Sequence, residues 1–359
     1  MPSASDEVRA AIVAAGGAIR FDEFMRIALY GDHGFYATGG QAGRRGDFIT
    51  SPEVGPLFGT VLARWIEAEY HRIGEPSDFT IVECGAGPGT LARSVLAVAP
   101  QWRDRYVAVE ISDSQRRQHP DGVRSLPKLA ELNRVGPING VVIANELLDN
   151  LPFRLAVFDG RWREIAVSLG RDSEFVESTM KVGDEWRWLP IAAPHGARLP
   201  VQDEAAAWVS TAQSLLRQGS VKVFDYCTPV TADLAGRPWR EWLRTYRAQE
   251  RGEHYLRLAG EQDITAQVCI DQLPTPWGIE TQVSFLKQFG IDELVEDGRR
   301  HWAAAAARPD LAAMAMRSRV SEAEALTESP GLGAFTSVTW QLPVAHATSG
   351  EMSDSHSTG

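Results

Sequence analysis

Cysteine is scarce in this chain. Three thiols, Cys84, Cys227 and Cys269, are spread over 359 residues. Their odd number and wide spacing exclude a disulfide framework and the paired spacing of a zinc site. No hydrophobic run approaches the length of a bilayer-spanning helix. The start of the sequence lacks an apolar signal core, and Asp6 and Glu7 stand where a mitochondrial leader avoids acids. Positive charge is short as well: 36 Lys and Arg face 47 Asp and Glu, a formal net charge of −11. The basic footprint of a nucleic-acid binder is therefore missing, and attraction to an anionic membrane is weak. These absences predict a protein of the reducing cytoplasm with no nucleic-acid and no membrane partner. Apolar residues make up 44% of the chain, enough for a sizeable core with a subdomain added to it.

The richest stretch runs from Thr80 to Thr90. Ile81 and Val82 are β-branched and apolar, as a buried parallel strand requires, and Glu83 puts a carboxylate at the strand's end. Gly85, Gly87 and Gly89 then allow a sharp turn and a close approach by a ligand. After Thr90 the pattern becomes helical. Such a crevice, outside the carboxyl end of a strand, suits a nucleotide-like ligand. The dinucleotide fingerprint is Gly-x-Gly-x-x-Gly. Here the glycines alternate, Thr90 holds the third-glycine position, and Pro88 removes an N–H that a pyrophosphate would use. A ligand with a carboxylate and a ribose but no phosphates fits better, which describes S-adenosylmethionine. A second strand, residues 106–109, ends in Glu110, an acid spaced to take the two ribose hydroxyls. Glu83 is placed to meet the amino group of the same ligand. The competing readings are an ordinary strand–turn–helix junction and a dinucleotide site.

The remaining pattern predicts an α/β fold around these strands. Helices are expected at 6–15, 21–29 with Asp22 as a cap, 56–74, 90–99, from about 112, at 203–218, 265–273 and 282–289. Strands are expected at 79–83, 105–110, 141–144, 220–226, 279–281 and 334–341. Asp159-Gly160 between two alternating runs signals a hairpin. Three parts follow: an N-terminal helical segment with a cofactor-covering loop (1–75), a core (76–345) with insertions at about 153–202 and 228–262, and a disordered tail (346–359). The 228–262 insertion is polar, rich in arginine and lid-like.

Two polar segments could carry chemistry. The first is Asn145-Glu146-Leu147-Leu148-Asp149-Asn150, which follows a buried strand and should emerge at the same crevice. Paired acids there can accept hydrogen bonds from a guanidinium and aim its nitrogen; the alternative is that Asp149 or Asn150 satisfies backbone donors at a turn. The second is Gly46-Asp47-Phe48-Ile49-Thr50-Ser51-Pro52-Glu53. Ser51 as a cap with Pro52 in the first turn explains part of it. That leaves Asp47, Phe48 and Thr50 without a structural reason. Phe35 and Tyr36 can form an aromatic wall or simple core, and His33 has no partner in metal-ligand spacing.

Together these segments resemble the MidA-like methyltransferases. Gly34-Phe35-Tyr36 and Gly46 to Glu53 match the family's N-terminal signature, Glu83 to Leu91 its cofactor loop, and Val109-Glu110-Ile111-Ser112 and Asn145 to Pro152 follow in order. Asp225-Tyr226, Gly260 to Thr265 and Gln282 with Phe285-Leu286 extend the match over about residues 18–340. Ala86 and Pro88 exchange the family's preferences in the loop, and Phe35, Asn150 and Cys227 also depart from it; no needed carboxylate is lost. Methyl transfer from a sulfonium often needs no metal, and none is expected. The resemblance implies a Rossmann-like, seven-stranded class I methyltransferase sheet. It implies S-adenosylmethionine held by Gly85, Gly87, Gly89 and Glu110 with Asp47, Thr50 and Pro52, and Asn145, Glu146 and Asp149 facing the acceptor. The family's best-known eukaryotic members are mitochondrial arginine methyltransferases that assist complex I assembly. The expected partner is therefore a protein arginine, in a bacterial protein whose substrate need not be theirs. A small-molecule acceptor, a non-catalytic assembly factor and a homodimer remain open alternatives.

Overall fold

The computed structural model describes residues 2–38, 50–134, 136–182, 186–248 and 250–343. Seven strands build the central sheet: β1 Phe79–Cys84, β2 Tyr106–Val109, β3 Arg124–Leu126, β4 Ile138–Asn145, β5 Leu216–Asp225, β6 Gly278–Thr281 and β7 Thr336–Leu342. Their order across the sheet is β6-β7-β5-β4-β1-β2-β3. The strands from β3 to β5 run parallel, and β7 lies antiparallel between β5 and β6. Continuous apolar runs are what a sheet covered on both faces needs, and β1, β2 and β4 are buried almost throughout. The helix Leu57–Arg72 covers one face with Phe58, Val61, Leu62, Trp65 and Ile66.

The chain leaves β1 towards β2 and β3, then returns to β4 on the other side of β1. This reversal opens a crevice at the carboxyl ends of β1 and β4. Cys84 pairs with Ala144 across it, so the turn at 85–89 and the segment from Asn145 start side by side. Two segments about 60 residues apart in sequence are thereby brought to one edge.

A second core lies beside the sheet. The helices Ala4–Ala14 and Phe21–Tyr30, the antiparallel strands Ala18–Arg20, Arg154–Phe158, Trp162–Leu169, Phe175–Lys181 and Arg198–Val201, and part of the 228–266 region share one apolar cluster. Phe24, Leu155, Ile165, Leu199 and Trp242 lie within it. Within 228–266 the strands Leu243–Arg247, Glu250–Arg251 and Asp263–Ala266 form a small antiparallel sheet.

Several local expectations change. Residues 265–273 are not helical. Asp263–Ala266 and Val268–Cys269 are strands, followed by the 3-10 turn Ile270–Gln272. Their β-branched residues pair with Leu243–Tyr246 and with Cys227–Thr228, and that pairing outweighs helical spacing. Ser51 opens the short helix Ser51–Val54 instead of capping it; Thr50 is the cap, and the Ser51 hydroxyl donates to Gln282 Oε1 at 3.1 Å. Asp22 accepts from Arg20 at 2.8 and 3.0 Å and caps nothing. The helix after Ser112 is one turn, Asp113–Arg116. Residues 290–328, for which the pattern predicts no element, form the helices Ile291–Ala305 and Leu311–Thr327, packed on one another.

Candidate active site

The glycine turn is built as its sequence requires. Gly85, Gly87 and Gly89 have φ of 67°, 53° and 83°, the left-handed region that a Cβ disfavours. Gly89 caps the helix Thr90–Val98. The Gly87 N–H donates to Glu110 Oε2 at 2.9 Å and the Ser112 N–H to Oε1 at 2.8 Å, so the acid after β2 is tied to the turn after β1. Burial pushes the Glu110 carboxyl up, against the pull of these backbone donors. Glu83 accepts from the Tyr106 hydroxyl at 2.8 Å, and burial raises its pKa to about 8.

A cavity of about 360 Å3 fills the crevice. Glu83, Gly85, Gly87, Glu110, Asn145 and Glu146 line it, with Thr50 and Pro52 from the N-terminal signature. Gly89 is not part of the lining; its role is the helix cap. Asp47, Phe48 and Ile49 lie outside the described residues. Tyr36 joins the wall, whereas Phe35 is buried in the second core. His33 pairs with Glu7.

A second cavity, of about 320 Å3, is lined by Glu146, Asp149, Asn150, Tyr226, Trp242, Arg244, Tyr246, Asp263 and Thr265. Glu146 and Asn150 line both cavities. Glu146 has φ of 52°, a conformation costly for a non-glycine residue and held here by its N–H bond to the Phe224 carbonyl at 2.9 Å. The Asn145 Nδ2 donates to Glu146 Oε1 at 2.9 Å. The N–H groups of Leu148 and Asp149 donate to the carboxylate of Asp225, at 3.0 and 3.3 Å. The Asp149 carboxylate takes the Thr265 hydroxyl on Oδ2, and its Oδ1 is buried with no partner among the described residues. Asn145 Oδ1 is in the same state. Asp263 accepts from the Tyr36 hydroxyl and from Asn150 Nδ2, each at 3.0 Å.

Four acids thus crowd one place, Asp149, Asp225 and Asp263 buried and Glu146 half-buried. Burial first, and Asp149 second, push Glu146 well above the usual carboxylate range. Burial raises Asp149 to about 6. Burial and the charge of Asp149 take Asp263 to about 7. Asp225 is also raised well above its usual value, by burial and then by Asp149 and Glu146. The folded state therefore holds protons that the unfolded chain releases near pH 4. Stability from these groups is full below their unfolded pKa and is lost as pH climbs through the folded values. Unfolding free energy is expected to fall between about pH 4 and pH 7, by on the order of 1–4 kcal/mol for Asp263 alone. Denaturant titrations of wild type and Asp263→Asn check this: the variant should lose part of the slope and keep the shares of Glu146, Asp149 and Asp225, and equal slopes would remove Asp263 as a contributor.

The sequence pattern did not single out Asp263, Thr265, Tyr226 or Arg244 as site residues. The signal was there in part, because the family resemblance runs through Asp225-Tyr226 and Gly260 to Thr265. Those residues stand far from the glycine turn in sequence, and only the second core brings them to Glu146.

A sequence model for a family described as S-adenosyl-L-methionine-dependent methyltransferases matches residues 61–286. The mitochondrial protein arginine methyltransferase NDUFAF7 of Xenopus laevis is 37% identical, over 77% of this chain and 72% of its own length. The mitochondrial NDUFAF7 homolog of Drosophila melanogaster is 30% identical, over 50% of this chain; the chain spans only about half of that relative, 48%. A Burkholderia thailandensis protein crystallised with S-adenosyl-homocysteine superposes with a TM-score of 0.80 at 26% identity, covering 96% of this chain and 93% of that one. The chain belongs to the MidA-like family of S-adenosylmethionine-dependent methyltransferases.

The crevice of this methyltransferase fits the family's cofactor. A turn with three positive-φ glycines exposes backbone to a ligand carboxylate, and the Glu110 carboxylate at the end of β2 suits a ribose diol. Charge-assisted hydrogen bonds are worth about 1.5–3 kcal/mol each. Glu110→Ala is therefore expected to weaken S-adenosyl-homocysteine binding by roughly 10- to 100-fold in calorimetry. An unchanged Kd would remove Glu110 from the cofactor site.

Proposed function

We propose that this methyltransferase acts on an arginine side chain of a protein. The observation that carries the reading is the second cavity, acidic and aromatic, which meets the cofactor crevice at Glu146 and holds the unpartnered Oδ1 of Asp149. A buried carboxylate oxygen without a donor calls for a cationic N–H group. A guanidinium supplies several such donors in a plane, and Tyr226, Trp242 and Tyr246 offer flat walls for it. The relatives named as protein arginine methyltransferases support the same reading.

S-adenosylmethionine, when bound, supplies a methyl carbon on a positively charged sulfonium. The residues of the chain do the rest. The glycine turn and Glu110 fix the donor side, while Asp149 and Asp263 hold the charged acceptor. Glu146 stands where the cavities meet. Its carboxylate has a raised proton affinity, which equips it to take a proton from the guanidinium so that a nitrogen lone pair is free. Because it must be ionised to do so, turnover should rise as pH climbs through its raised pKa. The aromatic walls keep water from competing.

The test is direct. Purified protein is incubated with S-adenosylmethionine and peptides that carry one arginine, one lysine or neither, and the products are read by mass spectrometry. Methylarginine in the first set alone is the expected result. Methylation of lysine peptides, or of small amines only, would overturn the reading. For location we propose the cytoplasm, on the three free thiols Cys84, Cys227 and Cys269, although the relatives are named as mitochondrial proteins; fractionation of the source cells decides it.

A further inference from the structure

Beside the acceptor cavity lies a small groove of about 80 Å3 with the opposite charge. Arg240, Arg244 and Arg251 line it, against one acid, Glu253, and a half-buried His254 whose pKa burial lowers. Arg244 lines both the groove and the acceptor cavity, so the two are neighbours. The protein as a whole carries a charge of −11, which makes this concentration of arginine local and specific.

The arginines are held in place, and Arg244 also feels the charge of Asp149 in the neighbouring cavity. The Arg240 guanidinium lies 4.9 Å from the centre of the Trp239 ring. A guanidinium on an aromatic face keeps its N–H edge free for a carboxylate. Arg251 Nη2 donates to the Arg240 carbonyl at 3.2 Å, tying the strand Glu250–Arg251 to the turn Trp239–Glu241. Arg244 Nε donates to the Glu241 carbonyl at 2.8 Å, with its guanidinium over the Tyr226 ring. The bonds of Arg244 and Arg251 to protein groups are thus to carbonyl oxygens, and among the described residues none of the three stands in an ion pair. By contrast, Arg237 and Arg247 in the same insertion pair with Glu241 and Glu261. Glu253 points its main-chain carbonyl at the Thr245 hydroxyl, 2.6 Å away, at the base of the groove.

We propose that this groove binds a carboxylate side chain of the substrate, so that the preferred acceptor is an arginine with an aspartate or glutamate close to it in the peptide. The inference rests on the arginine reading above and deepens it. An acidic cavity and a basic groove that share Arg244 match a segment with one charge of each sign. A substrate with positive charge alone would meet Arg240 and Arg251 at unfavourable distance. The groove's small size suits a carboxylate, and the fork of a guanidinium binds one through two parallel hydrogen bonds.

The experiment uses the full chain and peptides with a single arginine flanked by glutamate, alanine, lysine or phosphoserine, with initial rates measured at low salt. The glutamate peptide should be favoured over the alanine peptide by about tenfold in kcat/KM, mainly through KM. Arg240→Glu with Arg251→Glu should invert the order so that the lysine peptide leads. Arg240→Ala should flatten it. Calorimetry with S-adenosyl-homocysteine confirms that each variant is folded. Equal rates on all flanks in the wild type, or a glutamate preference that survives the double charge reversal, would overturn the assignment while leaving the arginine reading in place. Better turnover of the phosphoserine peptide than of the glutamate peptide would overturn the carboxylate in favour of phosphate. Methylation of no peptide at all would sink the arginine reading and the groove assignment with it.

Discussion

Glu146→Gln is expected to lower kcat by about 10^3-fold while leaving cofactor binding intact. The substitution keeps the shape of the side chain and can still accept from Asn145 Nδ2, which lies 2.9 Å from Oε1. What it removes is the charge and the proton affinity. Glu146 is the acid that lines both the cofactor crevice and the proposed acceptor cavity, and its raised pKa is what a general base for a weakly acidic nitrogen needs. The backbone strain at φ 52° also marks the residue as one held in place for function. Removing one of several crowded carboxyls relieves repulsion, so the melting temperature should stay equal or rise, the usual trade between activity and stability. Single-turnover kinetics with calorimetry separates the effects. A kcat within tenfold of wild type would take the role of base away from Glu146.

Gly87→Arg should abolish cofactor binding, with Kd raised by at least about 100-fold. Two causes add. A φ of 53° costs a side-chain-bearing residue about 1–2 kcal/mol, and a Cβ there would stand 3.2 Å from Gln115 Oε1, a side chain that itself lines the crevice. The long cationic side chain then occupies the space the ligand needs. Gly87→Ala, which carries the strain without the bulk, is expected to bind about tenfold more weakly than wild type. Both variants should remain folded by circular dichroism, because Gly87 lies in a half-buried turn that faces the crevice and not the packed core. Wild-type affinity in Gly87→Arg would mean that the cofactor lies elsewhere.

The cofactor side of this enzyme was legible because its requirements are local. A buried parallel strand writes itself as β-branched apolar residues, and a left-handed turn writes itself as glycine. Ile81, Val82, Gly85, Gly87 and Gly89 obey those rules within nine residues. Glu110 follows from the same logic one strand later, since the acid at the end of β2 reaches the turn after β1 through Gly87 N–H. Where local preference and tertiary pairing disagreed, pairing won: residues 263–269 became strands because partners waited at 243–246 and 227–228. Ser51 gave up its expected capping role because Gln282, 231 residues away, offered a buried acceptor.

The sequence by itself determined the α/β class, the glycine turn, the acids that end β1 and β2, and hence the kind of cofactor. Each of these depends on neighbours within a few residues or on a strand-to-strand spacing that the pattern records. The sequence pointed to Asn145, Glu146 and Asp149, but only the tertiary structure built the second cavity around them. It joined Glu146 and Asp149 to Asp263 and Thr265, set Tyr226, Trp242 and Tyr246 around them, and placed Arg240, Arg244 and Arg251 next door. It also set the chemistry of those acids, because their raised pKa values come first from burial, a property that belongs to the packed molecule and to no residue in the chain.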